Sequence, residues 1–453
     1  MNPKTFLMLS LGCAKNTVDS DSMSQLLIQD GYQPVNSARR AGVLVVNTCG
    51  FIGTAREESY SELSRLAETK RPGQLLIAAG CLTQRYGEEV ARRVPGVDGI
   101  LGTRRWMDIV GVVRELRQGS HPKPLYHLPE TPTLMDENSP AKVLRGSQFG
   151  ASAYLKIADG CRRTCAFCAI PLIKGTAISR LPEMILQDAH RLHEQGVREL
   201  ILIAQDTTDY GHDLGMQDGL ASLLERMTAE LPELDWLRIM YAFPGYVTER
   251  LIDVMASHPQ ILPYLDIPLQ HAHPDMLTRM RRPANMDWVH ATVAKMRQAM
   301  PKLAIRTVFI VGYPGETEKE FQTLLDFVEE MRFDRVGAFQ FSFEPGTASE
   351  ALGDPVPVEV KEERYQRLME LQQAISLQIN QTYVGKTLDV LVEGFNNGIT
   401  MGRSYRDAPE IDGLVLIEPD GAKKNAEPPA IGSLVPVRIT GAMAYDLTGI
   451  LAR

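Results

Sequence analysis

Short apolar runs alternate with amphipathic stretches along most of the chain, a rhythm that predicts strands and helices in turn. Residues 5–11, 43–47 and 75–79 are almost continuously apolar, the pattern of parallel strands covered on both faces. Each ends within a few residues of a cysteine, in Gly12-Cys13, Thr48-Cys49 and Gly80-Cys81. The alternation predicts an α/β, doubly wound sheet over residues 4–117, whose ligands gather beyond the carboxyl ends of its strands. Three cysteines at three such ends converge in space, although more than thirty residues separate them along the chain.

Residues 118–145 hold five prolines (Pro122, Pro124, Pro129, Pro132, Pro140) and little periodicity, and they read as a linker. From 146 to 384 a strand-then-helix unit repeats six times. Strands are expected at 154–157, 199–203, 237–240, 264–267, 305–311 and 335–341, and helices at 182–195, 288–299 and 319–331. Six parallel units curl into a partial (β/α)6 barrel with its chemistry at the carboxyl-end mouth. A long amphipathic helix follows at 360–379, and the charged run Glu359, Lys361, Glu362, Glu363, Arg364 reads as its solvated face. Over 385–453 short alternating strands at 388–392, 414–416 and 435–440, with Gly and Pro turns, predict a small antiparallel β-barrel.

A length of 453 residues and an apolar fraction of 44% suit about three domains with real cores. The net charge of -8 gives no overall basic field to gather nucleic acid. Residues 1–11 lack the basic flank of a signal peptide, and the apolar runs are too short to span a bilayer. A soluble, cytoplasmic protein with no membrane partner is expected. In such a chain six cysteines read as metal ligands or catalytic thiols before disulfides. They fall into two sets of three.

Cys161, Cys165 and Cys168 form C-x-x-x-C-x-x-C just after the first strand of the barrel-like segment. Three thiolates on one loop can hold three irons of a 4Fe–4S cluster, which normally takes four cysteines. The missing fourth leaves one iron open, as a catalytic metal site does. A structural zinc site is the competing reading, but no fourth Cys or His follows within the loop. Unligated core cysteines are the other. Cys13, Cys49 and Cys81 are 36 and 32 residues apart and less specific, since free cysteine is often simply buried. Their shared position at strand ends favours a second three-thiolate cluster.

Other residues fall at the same mouth. Gly312 opens Gly-Tyr-Pro-Gly-Glu-Thr after the fifth strand, where backbone can approach a ligand closely. Gln205, Asp206, Gln270, His271 and Arg306 lie in or just after strands, and for each a structural hydrogen bond is as good a reading as a cofactor contact. His273 reads as a surface or helix-start residue.

The Cys161–Cys168 loop resembles that of radical S-adenosylmethionine enzymes, and Phe167 matches an aromatic position typical of them. With Leu11-Gly12-Cys13-Ala14-Lys15-Asn16, Asn47-Thr48-Cys49 and Ala79-Gly80-Cys81, the chain resembles the methylthiotransferase family over essentially its whole length. The resemblance implies a flavodoxin-like cluster-binding domain, a radical S-adenosylmethionine barrel and a C-terminal TRAM barrel. It implies two 4Fe–4S clusters, on Cys13, Cys49 and Cys81 and on Cys161, Cys165 and Cys168. The open iron of the second binds S-adenosyl-L-methionine; Phe167, Gln205, Arg306 and Gly312 are further candidate cofactor-binding residues. By the same resemblance a radical from the cofactor takes hydrogen from the substrate carbon, the other cluster presents sulfur, and a second S-adenosylmethionine gives the methyl group. An electron donor such as a flavodoxin or ferredoxin is implied as well.

Lys15-Asn16-Thr17-Val18-Asp19-Ser20, Asp266-Ile267-Pro268-Leu269-Gln270-His271 and the stretch from Gly402 to Gly413 (GRSYRDAPEIDG) are most similar to family members that modify a ribosomal protein. The implied target is the β-carbon of an aspartate in small-subunit ribosomal protein twelve. An adenosine of transfer RNA is the alternative within the family, and a non-catalytic iron–sulfur or zinc protein the alternative outside it. From Gln381 to Arg453 seven Lys and Arg face nine Asp and Glu, a poor surface for RNA but acceptable for a basic protein partner. Two departures from the relatives are visible: Arg162 stands where they often have Asp or Asn, and Ala204-Gln205-Asp206 ends the second strand without the Gly-Gly-Glu of many radical enzymes.

Overall fold

The computed structural model describes residues 4–119, 124–130, 143–419 and 427–452. Its first sheet holds β1 (Thr5–Ser10), β2 (Gln33–Pro34), β3 (Val43–Thr48), β4 (Leu75–Gly80), β5 (Gly99–Gly102) and β6 (Leu125–His127). All are parallel, in the order β2-β1-β3-β4-β5-β6. The first five have the flavodoxin-like order. Helices α1 (Ala14–Gln29), α2 (Gly53–Thr69), α3 (Cys81–Arg93) and α4 (Ile109–Gln118) follow successive strands. Val43, Val45 and Ile77 point into one apolar layer, and Leu44, Val46 and Leu76 into the other. With both faces covered, alternation disappears, and the strands read as unbroken apolar runs.

The stretch 118–145 is more than a linker. Leu125–His127 returns to the sheet as an edge strand beside β5, and three residues are too few to show a period. Pro122, Pro132 and Pro140 lie outside the described residues.

The central sheet contains β7 (Gly146–Phe149) and β8 (Ser152–Lys156), followed by a ribbon of β9 (Ala158–Asp159) and β10 (Ile178–Ser179) that stands apart. It continues through β11 (Glu199–Ile203), β12 (Trp236–Ile239), β13 (Ile261–Asp266), β14 (Ala304–Val311) and β15 (Arg335–Gln340). The order is β15-β14-β13-β12-β11-β8-β7, six parallel strands with β7 as an antiparallel edge. Helices α5 (Ile170–Lys174), α6 (Pro182–Glu194), α7 (Gly219–Glu230), α8 (Glu249–Ser257), α9 (Pro274–Arg279), α10 (Met286–Ala299) and α11 (Glu318–Met331) connect them. The sheet stays open, which makes it a partial barrel.

Its concave side is filled by the rest of the chain. Tyr154, Ile201, Trp236, Met240 and Tyr264 pack with Val18 of α1 and with Leu391 and Ala408 of the C-terminal region. Helix α12 (Val358–Gln381) runs beside β15 and α11. Its charged run is not a solvated face throughout. Lys361 and Arg364 are buried, Lys361 bonding Asp354 at 2.5 Å and Arg364 bonding Glu316 at 2.6 Å. The helix lies against the sheet rather than over solvent, so cations on its inner side are paired as burial requires.

The C-terminal strands β16 (Thr387–Asn396), β17 (Ile399–Ser404), β18 (Val415–Ile417), β19 (Leu434–Ala442) and β20 (Leu447–Leu451) close into a barrel in the order β16-β17-β18-β20-β19. It is antiparallel except for the β18–β20 pair, which is parallel. Strands β17 and β20 were invisible as alternations because Gly402 and Gly449 interrupt them. No described helix is long and apolar enough to cross a membrane.

Candidate cluster-binding site at the junction of the two sheets

Strand ends place the first three cysteines. Cys13 caps α1, Cys49 follows β3, and Cys81 begins α3 immediately after β4. Glycine makes the crowding possible. Gly12 has φ +95°, and a Cβ there would stand 2.8 Å from Cys49 Cβ. Gly80 has φ +103°, and its Cβ would meet Asn47 Oδ1 at 2.3 Å. Both conformations strain any L side chain. Asn16 laces the loops together, its Nδ2 donating to Leu11 O and Thr48 O at 3.0 Å each. Cys81 Sγ lies 3.5 Å from Asn16 Oδ1. Asn47 Nδ2 donates to Asn16 O and Ser20 Oγ, and Ser59 Oγ takes the Cys49 N–H at 3.1 Å.

The second set lies on the loop from β9 to α5. Cys161 N–H donates to Gly175 O at 3.0 Å and Cys168 N–H to Cys165 O at 3.1 Å. The loop is tethered at Ala166, whose N–H reaches Met280 O and whose carbonyl takes the Ser349 N–H. Arg282 Nη1 is 3.5 Å from Cys165 Sγ, and its Nη2 donates to Pro268 O.

The chemistry of these donors fits iron–sulfur clusters. Burial pushes the Cys81 and Cys168 thiols up to about 12 and the Cys161 thiol up to about 11, and it raises Cys49 as well. Such thiols are protonated at neutral pH unless a bound cation stabilises the thiolate. A structural tetrahedral zinc site takes four such ligands. Three thiolates with no fourth Cys or His among them suit a cluster ligated at separate corners, with one iron left open.

The two trios meet. Cys81 falls in one small buried cluster with Ala169 and Ile173, which lie just beyond Cys168. Around them the two sheets are riveted by buried charge. Asp19 of α1 receives Arg145 at 2.8 Å, Lys156 at 2.6 Å and Lys174 at 2.9 Å. Burial alone would raise its pKa, but these three cations hold it well below the usual carboxylate range. Asp159 shares Lys156 and Lys174 at 3.4 and 3.2 Å. Arg104 donates to the carbonyls of Ile173 and Leu172 at 2.9 Å each, and Arg56 and Arg85 both reach Glu344.

Other expected residues separate by role. Gln205 Nε2 donates to Asp159 at 3.2 Å, and its Oε1 is buried with no partner among the described residues. Arg306 bonds Asp266 at 2.9 Å and stands 3.5 Å from Asp412 of the C-terminal region. Phe167 is half-buried against Met276, Met280, Tyr313 and Phe341. The close approach at Gly312 is to Lys361 Cγ, and its N–H goes to Glu316. Asp206 pairs with Arg163, and His271 is buried against Glu316. His273 caps α9. Much of the GRSYRDAPEIDG stretch faces the central sheet: Arg403 pairs with Glu199, Arg335 with Asp407 and Tyr264 with Asp412.

Sequence reasoning missed Lys15 and Tyr241. Lys15 Nζ sits 3.0 Å over the Tyr241 ring centroid, and Tyr241 has φ +64° just beyond β12. A lysine two residues after Cys13, on a helix face turned inward, was the available signal; Tyr241 had none.

Residues 5–102 match the model of uncharacterized protein family UPF0004, residues 155–328 the radical SAM superfamily, and residues 384–451 the TRAM domain. The chain is 48% identical to the ribosomal protein uS12 methylthiotransferase RimO of Chloroflexus aurantiacus, over 98% of both chains. It is 46% identical to that of a Roseiflexus species, over 98% of this chain and 96% of the relative. Among solved structures it is similar to TsrM, a radical S-adenosylmethionine methyltransferase from Kitasatospora setae, with a TM-score of 0.56 and 12% identity over 92% of this chain and 80% of that one. At that identity the likeness is one of fold.

Proposed function

The chain belongs to the family of ribosomal protein uS12 methylthiotransferases, and from that membership we propose that it places a methylthio group on the β-carbon of an aspartate in uS12. The chain is read as three units, 4–117, 146–384 and 385–453, with 118–145 between the first two. As a radical S-adenosylmethionine enzyme it uses a 4Fe–4S cluster and S-adenosylmethionine; a second cluster is our inference from the second cysteine trio. The β-carbon of aspartate has no readily ionised proton, so acid–base activation is closed to it. When bound, these groups supply a hydrogen-abstracting radical, a sulfur atom and a methyl group.

The protein's part is placement. Cys161, Cys165 and Cys168 would hold the first cluster, with Arg282 directing a charge-assisted hydrogen bond at the Cys165 sulfur. Cys13, Cys49 and Cys81 would hold the second, two of them at helix N-termini whose dipoles favour thiolate. Gln205, with its buried free acceptor, and Arg306 would meet the cofactor's polar groups. Phe167 would close the apolar wall behind the loop, and Gly312 would shape the mouth by letting α12 approach. Electrons would come from a one-electron donor such as a flavodoxin or ferredoxin, in the cytoplasm where ribosomes are found.

The observation that supports this reading is the buried cluster of Cys81 with Ala169 and Ile173, which joins the N-terminal trio to the loop that carries the other. The test is product mass spectrometry after anaerobic incubation with uS12 and, separately, with transfer RNA. Methylthiolated uS12 is expected; methylthiolated transfer RNA with unmodified uS12 overturns the substrate. Cys165→Ala should stop 5′-deoxyadenosine formation, whereas Cys49→Ala should leave it and block sulfur transfer.

A further inference from the structure

Nearly every buried cation at this junction has a carboxylate. Lys156, Lys174 and Arg145 share Asp19, Arg306 has Asp266 and Arg163 has Asp206. Lys15 does not. It is 9% exposed, and no carboxylate among the described residues lies within ion-pair distance of it. Its ammonium rests on the face of Tyr241. An aromatic face recovers only part of the solvation a buried ammonium loses. The position is specific too. Lys15 is two residues beyond Cys13, and Tyr241 lies past the carboxyl end of β12, at the mouth where barrel ligands bind.

We infer that Lys15 is the receptor for the substrate's side-chain carboxylate, pairing with the target aspartate and so presenting its β-carbon between the two cysteine trios. This rests on the aspartate reading given above and deepens it. A carboxylate entering the junction would give Lys15 the ion pair it lacks among the described residues, and a charge-assisted hydrogen bond in a water-poor site discriminates strongly against a neutral amide. Tyr241 then acts as a floor, keeping the ammonium at the mouth when substrate is absent. Selectivity for aspartate would thus come from the same helix that carries Cys13.

The test compares wild-type, Lys15→Met and Lys15→Arg holoenzymes on two uS12 peptides, one with the target aspartate and one with asparagine in its place. Methylthiolated product is measured by mass spectrometry. The wild type should favour the aspartate peptide by roughly 10- to 100-fold in kcat/KM. Lys15→Met should bring that ratio to about one, and Lys15→Arg should keep most of it. Each ratio is internal to one enzyme preparation, so a loss of folded protein does not distort it. An unchanged ratio in Lys15→Met, or no preference in the wild type, overturns the inference while leaving the substrate reading intact. A wild-type enzyme that modifies transfer RNA and neither the aspartate peptide nor intact uS12 overturns both.

Discussion

Cys81 and Ala169 share one small buried cluster with Ile173 across the junction of the two sheets. One residue opens a helix of the N-terminal sheet; the other follows the last cysteine of the central loop. This cluster joins the elements that carry the two cysteine trios. Ala169 is wholly buried, so Ala169→Leu must push them apart, at a cost of about 1–3 kcal/mol for overpacking. We expect 5′-deoxyadenosine formation to continue and methylthio transfer to fall at least tenfold, measured as the ratio of the two products in single-turnover reactions.

Gly80 holds the neighbouring turn. Its φ of +103° and the 2.3 Å approach of a Cβ to Asn47 Oδ1 both oppose a side chain. Gly80→Ala should destabilise the N-terminal sheet by about 1–3 kcal/mol and lower iron bound at the adjacent trio, with the Cys161–Cys168 loop still loaded. Thermal melting and iron content after reconstitution check the two effects separately.

Docking of the C-terminal barrel depends on Glu199. Burial disfavours its charge, but Arg238 at 2.7 Å and Arg403 at 2.6 Å hold its pKa down at about 2, against an ordinary 4.5. A carboxyl whose pKa is depressed by folding contributes stability above its unfolded pKa and loses it as pH falls through the folded one. Glu199→Gln should therefore melt lower than wild type at pH 7, by about 3–5 kcal/mol of stability. The gap should narrow as pH falls from about 4.5 toward 2. A gap that stays constant across that window counts against the pair.

The parts of this architecture that were legible in sequence are those whose pattern is local. Strands β3 and β4 are buried on every residue, so 43–47 and 75–79 stood out. The six parallel strands of the central sheet are mostly buried apolar runs as well, and the spacing of Cys161, Cys165 and Cys168 needed no tertiary information. What was lost depends on distant partners. β6 is three residues long and is held by β5 alone. Lys361 and Arg364 read as solvated because their partners, Asp354 and Glu316, can be recognised only after α12 has docked. Lys15 was hidden similarly: nothing local says that Tyr241, 226 positions away, will lie beneath its ammonium.

The account stands on two separate three-thiolate sites, and counting metal tests that most directly. Anaerobically reconstituted wild type should carry about eight irons and eight sulfides per chain. A Cys13/Cys49/Cys81 triple alanine variant and a Cys161/Cys165/Cys168 triple alanine variant should each retain about four. Wild type that holds only four, or either triple variant that still holds eight, contradicts it.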